Sequence, residues 1–326
     1  MENILKVEDL SVRFGGNVNA LKKVSFEVAH GEILGIVGES GSGKSTLGLS
    51  IGRLVDFNTL VEVDGRVYFQ EKELLKADQD SLYEIRGSGI FIIFQDPFQS
   101  LDPLVTVEEH LSEAFLIIKN KNGEFPNEKE VLENVVLSLK QVNFQNPYEV
   151  LKKYPHELSG GQNQRIMIAM AILQKPNLLI ADEPTTALDV TTQAQVLSLL
   201  EKIVRLENMS LIFITHDLAV ASMLCDRILV LYDGMIEEIG RTSDIIENPM
   251  HPYTIGLINS IPSRSKEEGR LKYIKGIYRK DEIKMGCPFY PRCDHHKDEC
   301  LMGIPKLINV NDRKVRCILY GNEYEE

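Results

Sequence analysis

Several short stretches of the chain are apolar almost without a break: Ile33-Leu34-Gly35-Ile36-Val37, Gly89-Ile90-Phe91-Ile92-Ile93-Phe94, Asn177-Leu178-Leu179-Ile180-Ala181 and Leu211-Ile212-Phe213-Ile214-Thr215. Continuous runs of this length predict strands covered on both faces, as in a parallel sheet. The N-terminal region is patterned differently. Leu10, Val12 and Phe14 alternate with polar positions, as do Val24, Phe26 and Val28, which predicts antiparallel strands. Val61 and Val63 precede Asp64-Gly65, and Val67 and Phe69 follow, which reads as a hairpin. Residues 46–54, behind the first apolar run, read as a helix. From Val105 to Tyr154 the period is helical, with Val131, Val135, Val136, Leu139 and Val142 recurring on one stripe. A polar break at Lys119-Asn120-Lys121-Asn122-Gly123 interrupts it, and the whole reads as a helical insert between sheet strands. A further helix carries Ile166, Ala169, Met170 and Leu173 and stops before Pro176; another carries Val196, Leu199, Leu200, Ile203 and Val204. Ile228 to Ile239 reads as a closing hairpin turned at Asp233-Gly234. Buried strands separated by helices put the chain in the α/β class.

Composition narrows the picture. With 326 residues, one large domain or two smaller ones are expected, and an apolar share of 43% suffices for a real core. A net charge of −12 argues against a nucleic-acid-binding surface as the main business, though not against a local basic patch. No apolar run reaches membrane-spanning length, and Met1-Glu2-Asn3-Ile4-Leu5-Lys6 lacks the pattern of a signal peptide, so a cytoplasmic location is expected. Neither internal repeats nor low-complexity tracts occur. Beyond about Gly240 lie His251-Pro252-Tyr253-Thr254, a Lys/Arg-rich stretch around Arg270 to Lys284, and four of the five cysteines.

The candidate chemistry sits at the ends of the apolar runs. Gly38-Glu39-Ser40-Gly41-Ser42-Gly43-Lys44-Ser45-Thr46 follows the first of them and opens a helix. It fits G-x-x-x-x-G-K-[ST], the phosphate-binding P-loop, in the strand–loop–helix setting that the motif needs. Glycines let the backbone curl until its N–H groups face phosphate oxygens, and the helix N-terminus adds partial positive charge. Lys44 is expected to reach the β- and γ-phosphates and the Ser45 hydroxyl to ligate Mg²⁺. Gln95 ends the second run, at the edge where open α/β sheets bind ligands, and its amide oxygen is a candidate Mg²⁺ ligand or water holder. Asp182-Glu183 ends the third in a Walker B arrangement. Asp182 is expected to hold Mg²⁺ through water and Glu183 to orient or deprotonate the attacking water. His216 ends the fourth and is a candidate partner of the γ-phosphate, and Phe14 a candidate platform for an adenine ring. Leu158-Ser159-Gly160-Gly161-Gln162 starts a helix with a capping box of Ser159 and Gln162 and a free Ser hydroxyl, a second anion site.

P-loop, Gln95, Leu158–Gln162, Asp182-Glu183, Ala187-Leu188-Asp189 and His216, in this order, resemble the ATP-binding subunit of an ABC transporter, over about residues 3–240. Leu158–Gln162 is the motif that separates this class from other P-loop proteins. A narrower resemblance, to the dipeptide/oligopeptide importer branch, rests on further motifs. These are Ile93–Pro97 with Ser100-Leu101-Asp102-Pro103, Tyr154–Ser159, Asn248–Thr254 through Ser260-Ile261-Pro262, and Cys287–Cys293. That branch also includes importers of nickel and of oligosaccharides, so the solute stays open. The resemblance implies a P-loop NTPase core of RecA-like type with an antiparallel β subdomain and a helical insert over about residues 97–165. The nucleotide-binding domain would occupy 1–240 and a small Cys-rich C-terminal extension 241–326. ATP and Mg²⁺ are the implied ligands. Two such domains are expected head to tail, the P-loop of one facing Ser159, Gly160, Gly161 and Gln162 of the other across ATP. The implied partners are two membrane-spanning permease subunits, a second ATPase subunit (copy or paralogue) and, indirectly, an extracellular solute-binding protein. Nucleic acid is not among them. The implied location is the cytoplasmic face of the membrane. The competing class is a soluble ABC protein of translation, repair or chromosome maintenance. Such proteins usually carry two cassettes or a long coiled coil, and the sequence shows neither.

Cys287, Cys293, Cys300 and Cys317 follow C-x5-C-x6-C-x16-C. This lacks the tight pair of structural zinc sites and misses the common ferredoxin runs. Four thiolates suit either zinc or an iron–sulphur cluster, so spacing leaves both open. Some members of the importer branch hold a [4Fe–4S] cluster on these cysteines, and the resemblance implies the cluster, with zinc as the alternative. Phe289, Tyr290 and Ile318 are expected to shield it.

Overall fold

The computed structural model describes residues 2–16, 18–55, 61–186, 188–261, 274–283 and 285–325. Ala187, Pro262, Arg270 and Lys284, named above, lie outside them. The chain divides into two compact units: residues 1–4, 29–32 and 76–212 form the first, and 5–28, 33–75 and 213–326 the second.

The chain opens with β1 (Asn3–Phe14), β2 (Val18–Ala29), β3 (Ile33–Val37), α1 (Lys44–Ile51), β4 (Val61–Phe69) and β5 (Lys72–Glu73). A four-stranded sheet in the order β2-β1-β4-β5 forms, and the alternating residues Leu10, Val12, Val24, Phe26 and Val28 are buried, as their pattern predicts. The predicted hairpin at Asp64-Gly65 does not form, because β4 runs through it. Gly65 crosses a bulge in β1, where the register slips between Glu8 and Ser11 and Asp9 takes a φ of 48°. At Gly65, with φ 102°, a Cβ would fall 2.6 Å from the carbonyl oxygens of both Glu8 and Asp9. The glycine answers a close backbone approach rather than a turn.

Next come α2 (Gln79–Ile85), β6 (Ile90–Ile93), α3 (Pro97–Ser100), α4 (Val107–Lys121), α5 (Glu128–Gln141), α6 (Pro147–Leu151), α7 (Gly160–Gln174), β7 (Leu178–Asp182) and α8 (Val190–Leu206). These fill the first unit. β6 and β7 pair in parallel, and α4, α5 and α8 pack on α7. The stripe of Val131, Val135, Val136 and Leu139 is the buried face of α5. The polar break begins at Asn122 rather than Lys119. Lys119 and Lys121 are good helix formers that complement the negative end of α4.

β8 (Ser210–Thr215) is wholly buried, and the division of the chain falls within it. After it come α9 (Leu218–Leu224), β9 (Arg227–Tyr232), β10 (Met235–Arg241), α10 (Thr242–Glu247), α11 (Pro252–Asn259), β11 (Ile308–Val310) and β12 (Arg313–Val315). The Asp233-Gly234 hairpin forms as predicted, with φ of 47° and 78° at its two turn residues. Within the second unit the strand order is β11-β12-β10-β9-β3, with β3 parallel to β9 and the other pairs antiparallel. The C-terminal segment therefore adds two strands to the sheet that carries β3. Among the described residues no helix is long and apolar enough to cross a membrane.

Candidate functional site

In the second unit β3 is buried from end to end and delivers the loop 38–43 to the start of α1. The loop lies so close to its neighbours that side chains are excluded. A Cβ at Gly38 would fall 2.1 Å from the Leu231 carbonyl oxygen, and one at Gly43 2.5 Å from that of Ala20. Gly43 also takes φ 107°, which turns the backbone into the helix. Lys44 folds back across the loop and donates to the carbonyls of Gly38 (2.8 Å) and Glu39 (3.0 Å), leaving the residue 4% exposed. Ser42 is buried, and its hydroxyl has no hydrogen-bond partner among the described residues. Ser40, Gly41 and Ser45 are exposed, and Thr46 is half-buried. A tight glycine cradle around a withdrawn lysine, open on one side, fits a nucleoside triphosphate. Phe14 is half-buried at the end of β1, opposite Val61. His216 is exposed directly after β8, and Asp217 beside it caps α9 by accepting from the Ala219 and Val220 N–H groups.

The first unit brings together two candidates 88 residues apart: Gln95 Nε2 donates to Glu183 Oε2 at 3.2 Å. That bond commits the amide nitrogen and leaves the Gln95 oxygen as an acceptor suited to a cation. Thr186 donates its hydroxyl to the same Glu183 oxygen at 2.8 Å. Glu183 itself has φ 44°. A left-handed backbone at a non-glycine residue is unfavourable by about 1–2 kcal/mol, and such strain clusters at working sites. Asp182 ends β7 half-buried. Sequence reasoning missed Thr186; its only signal is its place three residues after the acidic pair.

Ser159 and Gln162 form the predicted capping box at α7: Gln162 N–H donates to Ser159 Oγ (3.3 Å), and Ser159 N–H to Gln162 Oε1 (2.9 Å). The hydroxyl thus already accepts one bond and keeps its own proton to donate. Gly160 lies beside Phe98 and Leu188, and a Cβ at Gly161 would fall 2.6 Å from Thr192 Cγ2.

Three residues of the C-terminal segment, none of them assigned a site role from the sequence, touch the P-loop. The Tyr253 hydroxyl accepts from the Glu39 N–H at 2.9 Å. The Tyr278 hydroxyl donates to Asp233 Oδ1 at 3.0 Å and lies 3.3 Å from the Gly41 carbonyl. Arg292 grips the Glu39 carboxylate with both Nη atoms, at 2.5 and 2.9 Å. Burial raises the Tyr232 phenol, which stands among these groups, to about 12.

None of the five cysteines is in a disulfide. Among the described residues no group of three or more His, Cys, Asp or Glu side chains is arranged to hold a metal ion. Neither the expected [4Fe–4S] cluster nor its zinc alternative therefore finds a preformed set of ligands among the described residues. Cys287 and Cys300 sit on facing turns joined by a 2.8 Å bond from Cys287 N–H to the Cys300 carbonyl, and Cys317 follows β12. Burial raises the Cys287 and Cys293 thiols and pushes Cys317 up to about 11, and the neighbouring cysteine sulphurs add to the rise at these three. Phe289, expected as a shield, packs against Tyr232 and Tyr253, with ring centroids 5.4 and 5.3 Å apart. Tyr290 packs against His296.

Residues 21–186 match the ABC transporter family, and residues 238–300 match the oligopeptide/dipeptide transporter C-terminal region. The chain is 40% identical to the oligopeptide transport ATP-binding protein AppD of Bacillus subtilis, over 100% of this chain and 99% of that protein. It is 42% identical to the dipeptide transport ATP-binding protein DppD of Haemophilus influenzae, over 98% and 96% of the two. Among solved structures, the dimeric post-hydrolysis state of the ATP-binding cassette MJ0796 bound to ADP and Pi aligns with a TM-score of 0.64 at 31% identity, covering 73% of this chain and 98% of that one. The chain therefore belongs to the ABC transporter family, as an ATP-hydrolysing cassette that carries the oligopeptide/dipeptide type of C-terminal region.

Proposed function

We propose that this ATPase powers an importer of di- or oligopeptides, as a peripheral subunit on the cytoplasmic face of the membrane that works through two separate membrane-spanning permease subunits. One observation carries the reading: a cassette and an oligopeptide-type C-terminal region occur in one chain, collinear over nearly its whole length with dipeptide and oligopeptide transport ATP-binding proteins. An extracellular solute-binding protein would supply the peptide.

The residues divide the work as follows. The backbone of Gly38 to Gly43 receives phosphate oxygens, and Lys44 exchanges its two loop carbonyls for the β- and γ-phosphates. Ser45 and Gln95 are proposed as Mg²⁺ ligands and Asp182 as a ligand through water; when bound, the ion neutralises phosphate charge. Glu183 takes the proton of the attacking water, its carboxylate oriented by Gln95 and Thr186. His216 hydrogen-bonds the γ-phosphate, and Phe14 stacks on adenine. Ser159, Gly160, Gly161 and Gln162 act on the nucleotide of a second ATPase subunit, copy or paralogue. The dimeric state of the solved relative supports this scheme.

The four cysteines are proposed to hold a [4Fe–4S] cluster with a structural role. What supports this reading is that four thiols lie in one C-terminal segment and that Cys287 and Cys300 meet on facing turns.

The test is co-purification from membranes followed by reconstitution. The chain should come with two polytopic proteins, and peptide-loaded binding protein should stimulate its ATPase activity. Stimulation by a nickel- or oligosaccharide-loaded binding protein alone would replace the solute. A chain recovered alone, with activity indifferent to membrane subunits, would overturn the importer. Anaerobically purified protein should be brown with about four iron atoms per chain.

A further inference from the structure

We propose that Arg292 is a positioning residue of the nucleotide site: by pairing with Glu39 it fixes the P-loop and removes a carboxylate charge that would oppose ATP. The inference rests on the reading that residues 38–46 bind ATP.

Glu39 is the second residue of the loop, beside the cradle for a polyanion. An unpaired carboxylate there would repel phosphate oxygens at short range, where solvent screens least. The Arg292 side chain is 6% exposed and Glu39 29%, and both Nη atoms engage the carboxylate in the bidentate fork that gives arginine–carboxylate pairs their strength and direction. The rest of the guanidinium is also held. Nε donates to the Lys275 carbonyl at 3.0 Å, and Cζ lies 5.9 Å from the ring centroids of both Tyr232 and Phe289. The backbone of Glu39 is fixed as well. Its N–H donates to the Tyr253 hydroxyl, and its carbonyl receives Lys44 Nζ and the Ser42 N–H. One loop residue is thereby tied at side chain, N–H and carbonyl, and two of the ties come from the C-terminal segment. Arg292 ends the single turn Tyr290–Arg292 between Cys287 and Cys293, so the cysteine loop sets where the guanidinium stands.

The experiment is a double-mutant cycle on the full-length chain, reading the ATP dissociation constant together with kcat and KM. Arg292→Gln should weaken ATP binding and raise KM roughly tenfold, as expected for losing a hydrogen-bonded charge partner, with kcat changed by less than about twofold. In a Glu39→Gln background, where no charge needs neutralising, the same substitution should change affinity by less than about threefold. Arg292→Lys should fall between wild type and Arg292→Gln. Unchanged ATP affinity in Arg292→Gln, with only a lowered Tm, would make Arg292 purely structural and overturn the inference. So would equal losses in the two backgrounds. If Arg292→Gln does not fold, Arg292→Lys decides: ATP affinity equal to wild type would overturn the proposal. Wild-type chain that fails to bind ATP would instead sink the reading of the loop itself.

Discussion

Glu183 and Thr186 show how far a residue-level reading reaches. An acidic pair after an apolar strand is visible in any sequence, whereas the hydroxyl that holds the carboxylate is defined by a turn that only folding creates. Glu183→Gln should retain ATP binding and lower turnover by at least about 100-fold, the range for a lost general base. Near-normal steady-state turnover in that variant would remove Glu183 from the role. A second pair of carboxylates tells a similar story. Glu238 accepts from the Met250 and His251 N–H groups, whereas neither oxygen of the adjacent, fully buried Glu237 has a hydrogen-bond partner among the described residues. His251 Nε2 lies 3.3 Å from Glu237 Oε2 without hydrogen-bond geometry. Burial raises Glu237 from 4.5 to about 8, against the opposing pull of Arg316 and Lys22, and lowers His251 from 6.5 to about 3, so the pair is neutral rather than ionic near neutral pH. A raised carboxyl contributes stability that is full below pH 4.5 and lost as pH rises toward 8; a lowered imidazole contributes stability that is lost as pH falls below 6.5. Between 4.5 and 6.5 the two slopes oppose, and from 6.5 to 8 Glu237 acts alone. Glu237→Gln should therefore flatten the fall in Tm over that upper interval. An unchanged Tm profile there would mean that Glu237 is not the group responsible.

At the scale of elements, two Asp-Gly pairs received the same reading and met different fates. Asp233-Gly234 turns a hairpin because β9 and β10 pair directly across it, Tyr232 with Met235. Asp64-Gly65 lies inside β4 because its partner is β1, about fifty residues earlier, and the bulge there needs a residue without a side chain. Nothing local distinguishes the two. Gly65→Ala should destabilise the fold by about 1–3 kcal/mol in urea unfolding, the range for strained backbone or an overpacked site. No loss would mean that β1 shifts freely. Helix starts were far more legible. Ser159 caps α7 and Asp189 caps α8 through backbone groups two or three residues away, so their sequence signal is complete in itself. The helical stripe of α5 was equally plain, since one buried face fixes its period.

For the molecule as a whole, the order of motifs along the chain was enough to place it in its family, because the motifs sit at the ends of continuous apolar strands or at capped helix starts, both legible in sequence. The C-terminal segment was read as an appendage, and here long-range contacts decide. Tyr253 and Arg292 meet Glu39 across 214 and 253 residues of sequence, separations at which no periodicity or spacing carries information. The cysteine spacing was legible as a cluster of thiols but not as a geometry. The pairing of β12 with β10, Glu238 opposite Val315 and Ile239 opposite Lys314, also determines what shortening the protein would do. Cutting the chain after β10 would strip that strand of its neighbour and present its N–H and C=O groups as an open edge, a template for other chains. It would also strand Glu237 and Glu238 without Arg316 and Arg313, whose charges stand beside them. A cassette ending near residue 250 should therefore associate and precipitate during sizing chromatography, and the full chain run alongside should stay dispersed. The segment that resembles an accessory is the selvedge of the sheet, and the weave does not hold without it.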